Sequence, residues 1–146
     1  MLSKKTKYGI KALTYICGHE NDGPIPIATI AEAENISHKF LETILLTLKK
    51  GGILASKKGK KGGYYLLKDP NDIPMSDIIR LLSGPIAMIP CVSLNFYEKC
   101  DDCPHENTCG TNRLMLEVRD STLKVLRTKT LAQLTLEINS PRNKIV

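Results

Sequence analysis

The stretch from Ser37 to Leu67 constrains this chain more than any other. Leu41, Ile44, Leu45 and Leu48 keep the i, i+3, i+4, i+7 spacing of one helix face. The spacing predicts a helix over about 38–50, opened by Ser37 as N-cap and stopped by Gly51-Gly52, which tolerate the left-handed conformation. Lys39, Glu42 and Thr43 then point away from the packed face. Directly afterwards, Ile53-Leu54-Ala55-Ser56 and Tyr64-Tyr65-Leu66-Leu67 read as two short strands around Lys-Lys-Gly-Lys-Lys-Gly-Gly. Such a hairpin is too glycine-rich to be core. Any fold of this segment must bury one face of a helix and leave a basic hairpin in solvent.

The preceding segment supplies a partner for that helix. In IPIATIAEAENIS, Pro26 suits a first helical turn, Ile27, Ile30 and Ala31 repeat at helical spacing, and Asn35-Ile36 makes a tight connection. Two short helices joined by a few residues, the second with a polar face near its start, form the helix-turn-helix that presents side chains to major-groove base edges. A hairpin directly after such a helix is a wing. Lys57, Lys58, Lys60 and Lys61 are placed to neutralise phosphates or reach a minor groove, and Gly59, Gly62 and Gly63 let the backbone approach a duplex.

Charge agrees with this division. Residues 1–68 hold 12 Lys and five acids, a net +7, whereas residues 69–146 hold nine basic and ten acidic residues, a net −1. An excess confined to one half predicts a polyanion-binding module joined to a neutral one. With two Phe, five Tyr and no Trp, stacking platforms for single strands are scarce. Double-stranded DNA is the expected partner. The 146 residues, 42% of them apolar, suffice for one packed domain. Apolar runs are far short of the roughly 18 to 20 residues that span a bilayer. The amino end has the basic start of a signal peptide, but Lys11 interrupts its apolar stretch and no small-residue cleavage site follows, so a cytoplasmic protein without membrane partners is expected.

A first helix is expected over Thr6–Cys17, with Cys17 on its apolar stripe as a small buried hydrophobe. The other four cysteines, Cys91, Cys100, Cys103 and Cys109, are spaced C-x8-C-x2-C-x5-C. Such crowding in a cytoplasmic chain points to metal or redox chemistry rather than structural disulfides. Four thiolates in one loop suit a 2Fe-2S cluster, and equally zinc, with His105 as a possible imidazole ligand; free redox thiols are the third option. From Arg113 to about Thr130 a helix returns. Met115, Val118, Thr122, Val125 and Leu126 form one row, Leu116 and Leu123 a second, and two rows predict contact with its own domain and with another chain. An enzyme is not expected, because no nucleotide-binding glycine motif or paired catalytic acid and base is visible. A small thiol or iron-sulfur redox protein would leave the +7 half unexplained.

These residues resemble the IscR/NsrR-type winged-helix regulators of bacteria, the Rrf-two family, over nearly the whole chain. The matching stretches are K-Y-G-I-K-A-L-T-Y-I in the first helix and I-A-E-A-E-N-I-S-H-K-F-L-E-T-I-L-L-T-L-K-K-G-G-I-L in the helix-turn-helix. K-G-K-K-G-G-Y-Y-L in the wing, C-G-T-N-R-L-M-L and T-L-A-Q-L complete them. The resemblance implies a mainly α fold with a small β-hairpin wing: a winged helix-turn-helix domain at 1–84 and a cysteine-rich cluster-binding loop at 85–112. It further implies a long dimerisation helix that crosses to a second subunit in a homodimer and, with a C-terminal segment, occupies 113–138; Pro141 and its polar neighbours predict a mobile tail at 139–146. The family's recognition-helix contacts fall on Lys39 and Glu42, and its basic wing contact on Lys58. Lys60 and Lys61 replace the commoner wing pattern and favour point-charge phosphate contacts over bidentate guanine recognition.

The resemblance also favours a 2Fe-2S cluster, since many members hold one in this loop with three cysteines and a fourth ligand from elsewhere. Cys91, Cys103 and Cys109 fit that pattern, and Cys100 departs from it. Lys7 stands where some relatives supply an acidic ligand from the partner subunit. The family's histidine position falls near Asn112 and Arg113, which leaves His105 a solvent-exposed loop residue. The expected function is a transcription factor, a repressor, whose operator affinity depends on the cluster, although a protein isolated in air is expected to have lost it. The alternative is a zinc-stabilised or thiol-based regulator without a cluster.

Overall fold

The computed structural model describes residues 2–140. Helix α1 (Lys4–Gly18) opens on Ser3, whose hydroxyl accepts from the Thr6 amide, so it extends past both ends of the expected 6–17 span. Helix α2 (Ile27–Glu34) starts after Pro26, which stands at the N-cap rather than inside the first turn. Asn35 ends it with φ 52°, a conformation its short polar side chain tolerates. Buried Ile36 then carries the chain to Ser37 and helix α3 (His38–Lys50), whose bounds are the expected ones. Ser37 has the extended N-cap backbone, but its side chain makes no capping hydrogen bond.

The predicted stripe of α3 is the centre of the core. Leu41, Ile44, Leu45 and Leu48 are fully buried, together with Leu13 and Ile30 from α1 and α2 and Ile78 from helix α4 (Met75–Ser83). Fully burying a leucine or isoleucine side chain contributes about 1.5–3 kcal/mol, so this cluster is what fixes α3 in place. Tyr8 and Phe40 meet edge to face, with centroids 5.8 Å apart, and hold the start of α3 against α1.

Strands β1 (Leu54–Lys57) and β2 (Gly63–Leu66) form the hairpin, each shifted one residue toward the turn relative to expectation. Leu54 pairs with Leu66 and Lys57 with Gly63. A third piece is not legible in the sequence: Ile25 exchanges two backbone hydrogen bonds with Tyr64, at 2.9 and 2.8 Å, tying the wing base to the chain before α2. Gly63 permits this, since its φ is +152° and a Cβ there would run into the Ile25 carbonyl. Gly63→Ala is therefore expected to cost about 1–3 kcal/mol from backbone strain alone, before the clash is counted. Urea denaturation measures it, and an unchanged midpoint would show that the wing base is free to shift.

Helix α5 (Gly110–Thr128) follows an irregular stretch of 26 residues after α4, and helix α6 (Leu131–Ile138) follows it almost at once. The expected single helix to Thr130 thus stops early. Thr130 and Gln133 form a capping box that starts α6. Backbone bonds from Met75 to Lys129 and from Leu131 to Ile73 pin α6 beside the start of α4, and fully buried Leu131 joins the core against α1. On α5, Leu123 is buried, and Leu116, Met115, Val118 and Leu126 are partly covered. Thr122 is exposed, as are Leu114 and Val125, at 55% and 62%. Among the described residues no helix is long and apolar enough to cross a membrane. Of the expected mobile tail, residues 141–146 lie outside the described residues.

Candidate nucleic-acid interface and cysteine cavity

The outer face of α3 carries Lys39, Glu42 and Thr43, all exposed as expected. The Thr43 hydroxyl donates to the Lys39 carbonyl at 3.2 Å, which holds it to the helix while leaving both charged side chains free. Leu46 continues this face at i+7 from Lys39 and is 43% exposed. Sequence reasoning misses it, because a leucine within an apolar run reads as core; on this face it offers an apolar contact of the kind that suits a thymine methyl. At the other end of α3, Lys49 Nζ donates to Ser56 Oγ at 2.6 Å, linking the helix to β1. The chain then enters the turn, where Lys57, Lys58, Lys60 and Lys61 are all exposed and the Gly62 amide donates to the Gly59 carbonyl at 3.0 Å. A polar helix face and a basic hairpin thus follow one another on a packed base.

The four clustered cysteines line one cavity of about 520 Å³, between the irregular segment and the start of α5. A short 3-10 turn at Pro90–Val92 holds Cys91 half-buried, and Cys109 is the N-cap of α5. Asn112 connects them. Its backbone amide donates to Cys109 Sγ and its side-chain N–H to Cys91 Sγ, each at 3.4 Å, and it is 8% exposed. Cys100 is exposed and Cys103 half-buried, joined by a turn in which the Cys103 amide donates to the Cys100 carbonyl. Arg119 reaches back from α5 to donate to the Val92 carbonyl at 2.6 Å, fastening the residue after Cys91 to the helix.

Electrostatically the cysteines differ. The Asn112 amide, and then the donated Cys103 thiol, pull Cys109 below the usual thiol range. Partial burial pushes Cys103 up, and its hydrogen bond to Cys109 adds to this. A lowered folded value means that the Cys109 thiolate adds stability at high pH, and that this is lost as pH falls through the folded value. In metal-free protein, Cys109 is expected to alkylate at lower pH than Cys103. Mass spectrometry of the two peptides checks the order, and the reverse order would contradict this hydrogen-bond pattern.

All five cysteines are free thiols. Cys17 sits apart on α1, half-buried against the core rather than fully enclosed, and burial raises its pKa. His105 is exposed in the loop, as expected, and Lys7 is exposed on α1. Among the described residues no group of three or more His, Cys, Asp or Glu side chains is arranged to hold a metal ion. The donor set nevertheless fits a soft centre: four thiols face one cavity, and one of them is already biased toward thiolate.

Comparison with known proteins agrees with this architecture. The profile of the Rrf2 family, described as iron-dependent transcriptional regulators, matches residues 2–137. An rrf2-like HTH-type transcriptional regulator of Rhodobacter capsulatus is 38% identical over 149 aligned positions, covering 100% of this chain and 99% of its own. CymR, the global cysteine regulator of B. subtilis, superposes with a TM-score of 0.78 at 29% identity, covering 94% of this chain and 97% of its own. IscR of T. potens does so with a TM-score of 0.75 at 29% identity, covering 98% and 93%. These relatives are transcriptional regulators rather than enzymes, and their common winged-helix fold is the one described above. The chain belongs to the Rrf2 family of DNA-binding transcriptional regulators.

Proposed function

We propose that this regulator is a homodimeric repressor whose operator affinity is set by a 2Fe-2S cluster held in the 91–109 cavity. The observation that carries the reading is the meeting of four free cysteines at one cavity, with Cys109 capping α5. The family's description as iron-dependent supports the choice of metal. Cys91, Cys103 and Cys109 would hold the cluster, with Cys100 as the candidate fourth ligand. When bound, the cluster supplies a centre that changes charge or is lost under physiological redox stress. In this division of labour, residues 1–84 bind DNA, 85–112 sense, and within 113–138 helix α5 pairs two chains while α6 packs back on α1. The uncovered Leu114 and Val125 on α5 suit that pairing, and a two-fold pair of recognition helices suits half-sites on one face of a duplex. The site of action would be the cytoplasm.

The cavity has a packed route to α3. Arg119 fastens the loop to α5, α5 packs on α4, and Leu81 of α4 lies against Gly51 at the end of α3. A cluster that binds better to one arrangement of these helices shifts the population by that difference in affinity and no more. Lys39, Glu42 and Thr43 would meet base edges, and Lys57, Lys58, Lys60 and Lys61 the phosphates. Glu42→Ala is expected to change which duplexes are preferred more than overall affinity, because a carboxylate accepts from cytosine but otherwise repels phosphate. Selection from a random duplex library reads this out; a uniform loss across sequences would contradict it.

A second reading, a cluster-free thiol regulator, is favoured by the four free thiols at one cavity and by the likeness to CymR, a cysteine regulator. Anaerobic purification separates the two. A brown protein with visible absorbance and about two irons per chain supports the cluster. Colourless protein holding zinc, or no metal after anaerobic reconstitution, would overturn it.

A further inference from the structure

We propose that Asn112 is the positioning residue of the cysteine cavity, acting on a bound centre as a hydrogen-bond donor to Cys91 rather than as a ligand. The second half of this proposal rests on the cluster reading above; the first half does not. An asparagine in the first turn of a helix ordinarily faces water, yet Asn112 is 8% exposed and is one of only two buried residues on α5, the other being Leu123. What covers it is the cysteine loop. Its side-chain N–H donates to Cys91 Sγ and its backbone N–H to Cys109 Sγ, each at 3.4 Å, so one residue grips the sulfurs at both ends of the 91–109 segment.

The chemistry of the amide decides its role. A carboxamide carries two N–H donors and one carbonyl acceptor, and its oxygen is a hard, neutral donor poorly suited to a thiolate-held iron. With an N–H already on Cys91 Sγ, the group withdraws electron density from that sulfur and favours the more negative, reduced state of whatever the sulfur binds. Hydrogen bonds to the sulfurs are among the factors that set cluster potentials, and such outer partners also orient the ligands they touch.

Asp is the informative substitution. It keeps the shape of Asn but, when ionised, offers only acceptors. In full-length protein reconstituted anaerobically with ferrous iron and sulfide, Asn112→Asp and Asn112→Ala are both expected to keep wild-type helical circular dichroism. Both should retain iron about 10- to 100-fold more weakly against a chelator, with midpoint potentials shifted downward. Equal or better retention by Asn112→Asp would mean that the position ligates through oxygen and would overturn the proposal. So would a lowered melting temperature in both variants with unchanged potential and retention, the mark of a merely structural residue.

A second measurement needs no metal. In reduced, metal-free protein, the side-chain NH2 resonances of Asn112 are expected to move on Cys91→Ala, and unmoved resonances would overturn the donor interaction. Failure of the unaltered chain to take up iron and sulfide would sink the cluster reading and the action on a bound centre together, leaving the hydrogen bond to be decided by the resonances alone.

Discussion

Replacing Lys57, Lys58, Lys60 and Lys61 together by Ala is expected to weaken binding to every duplex and to flatten the fall of log affinity with log salt. Each phosphate that is no longer neutralised lowers the slope by about 0.9, so four of them would remove about 3.6. Over a fourfold rise in salt that is a difference of about a hundredfold in affinity. The fold should survive, since the wing is held by backbone pairing of β1 with β2 and of Ile25 with Tyr64, none of which uses a lysine side chain. Titrations of a labelled duplex at several salt concentrations measure the slope. If it equals that of the unaltered chain, the wing is not in the interface.

The cysteines should sort by the same kind of measurement. Ser at Cys91, Cys103 or Cys109 is expected to abolish or sharply weaken iron retention, because a hydroxyl cannot replace a soft thiolate ligand. Cys109→Ser is the cleanest of the three: serine is a favoured N-cap, so α5 keeps its start while the ligand is removed. Cys100→Ser decides the fourth position, since iron loss or a shifted spectrum would make Cys100 a ligand and an unchanged spectrum a spare thiol. Cys17→Ser is the control, altering stability modestly through its half-buried place on α1 and leaving iron alone. Equal iron loss in all five would indicate misfolding, and full retention in the four loop variants would end the cluster reading.

Features that act locally are the legible ones. The bounds of α3 follow from an apolar stripe and a glycine stop, and the wing from two short apolar runs around a lysine-rich turn; both depend on neighbours in sequence. The Ile25–Tyr64 pairing joins two single residues from distant segments and leaves no periodic trace. The separate start of α6 does leave one, the Thr130-x-x-Gln133 pattern of a capping box, hidden by a helical apolar pattern that runs on past it. Spacing groups the four cysteines correctly at one cavity but says nothing of which sulfurs meet, because an irregular segment takes its shape from individual interactions such as Arg119 with Val92. Asn112 stands out in the sequence only as a neighbour of the family's histidine position. Its burial depends on the loop folding over it.

The state of the cysteine cavity is expected to change how α3 and the wing hold DNA. The direct measurement is the affinity of one duplex, enriched from a random library on reconstituted protein, for reconstituted and for metal-free reduced protein at the same salt and without oxygen. Coupling between sites is typically about 1–3 kcal/mol, so the two affinities are expected to differ by about 5- to 150-fold, and the difference should vanish in Cys109→Ser. Equal affinities for the two forms of the unaltered chain, with iron bound in one and absent from the other, would show that the cavity does not act on the DNA-binding face.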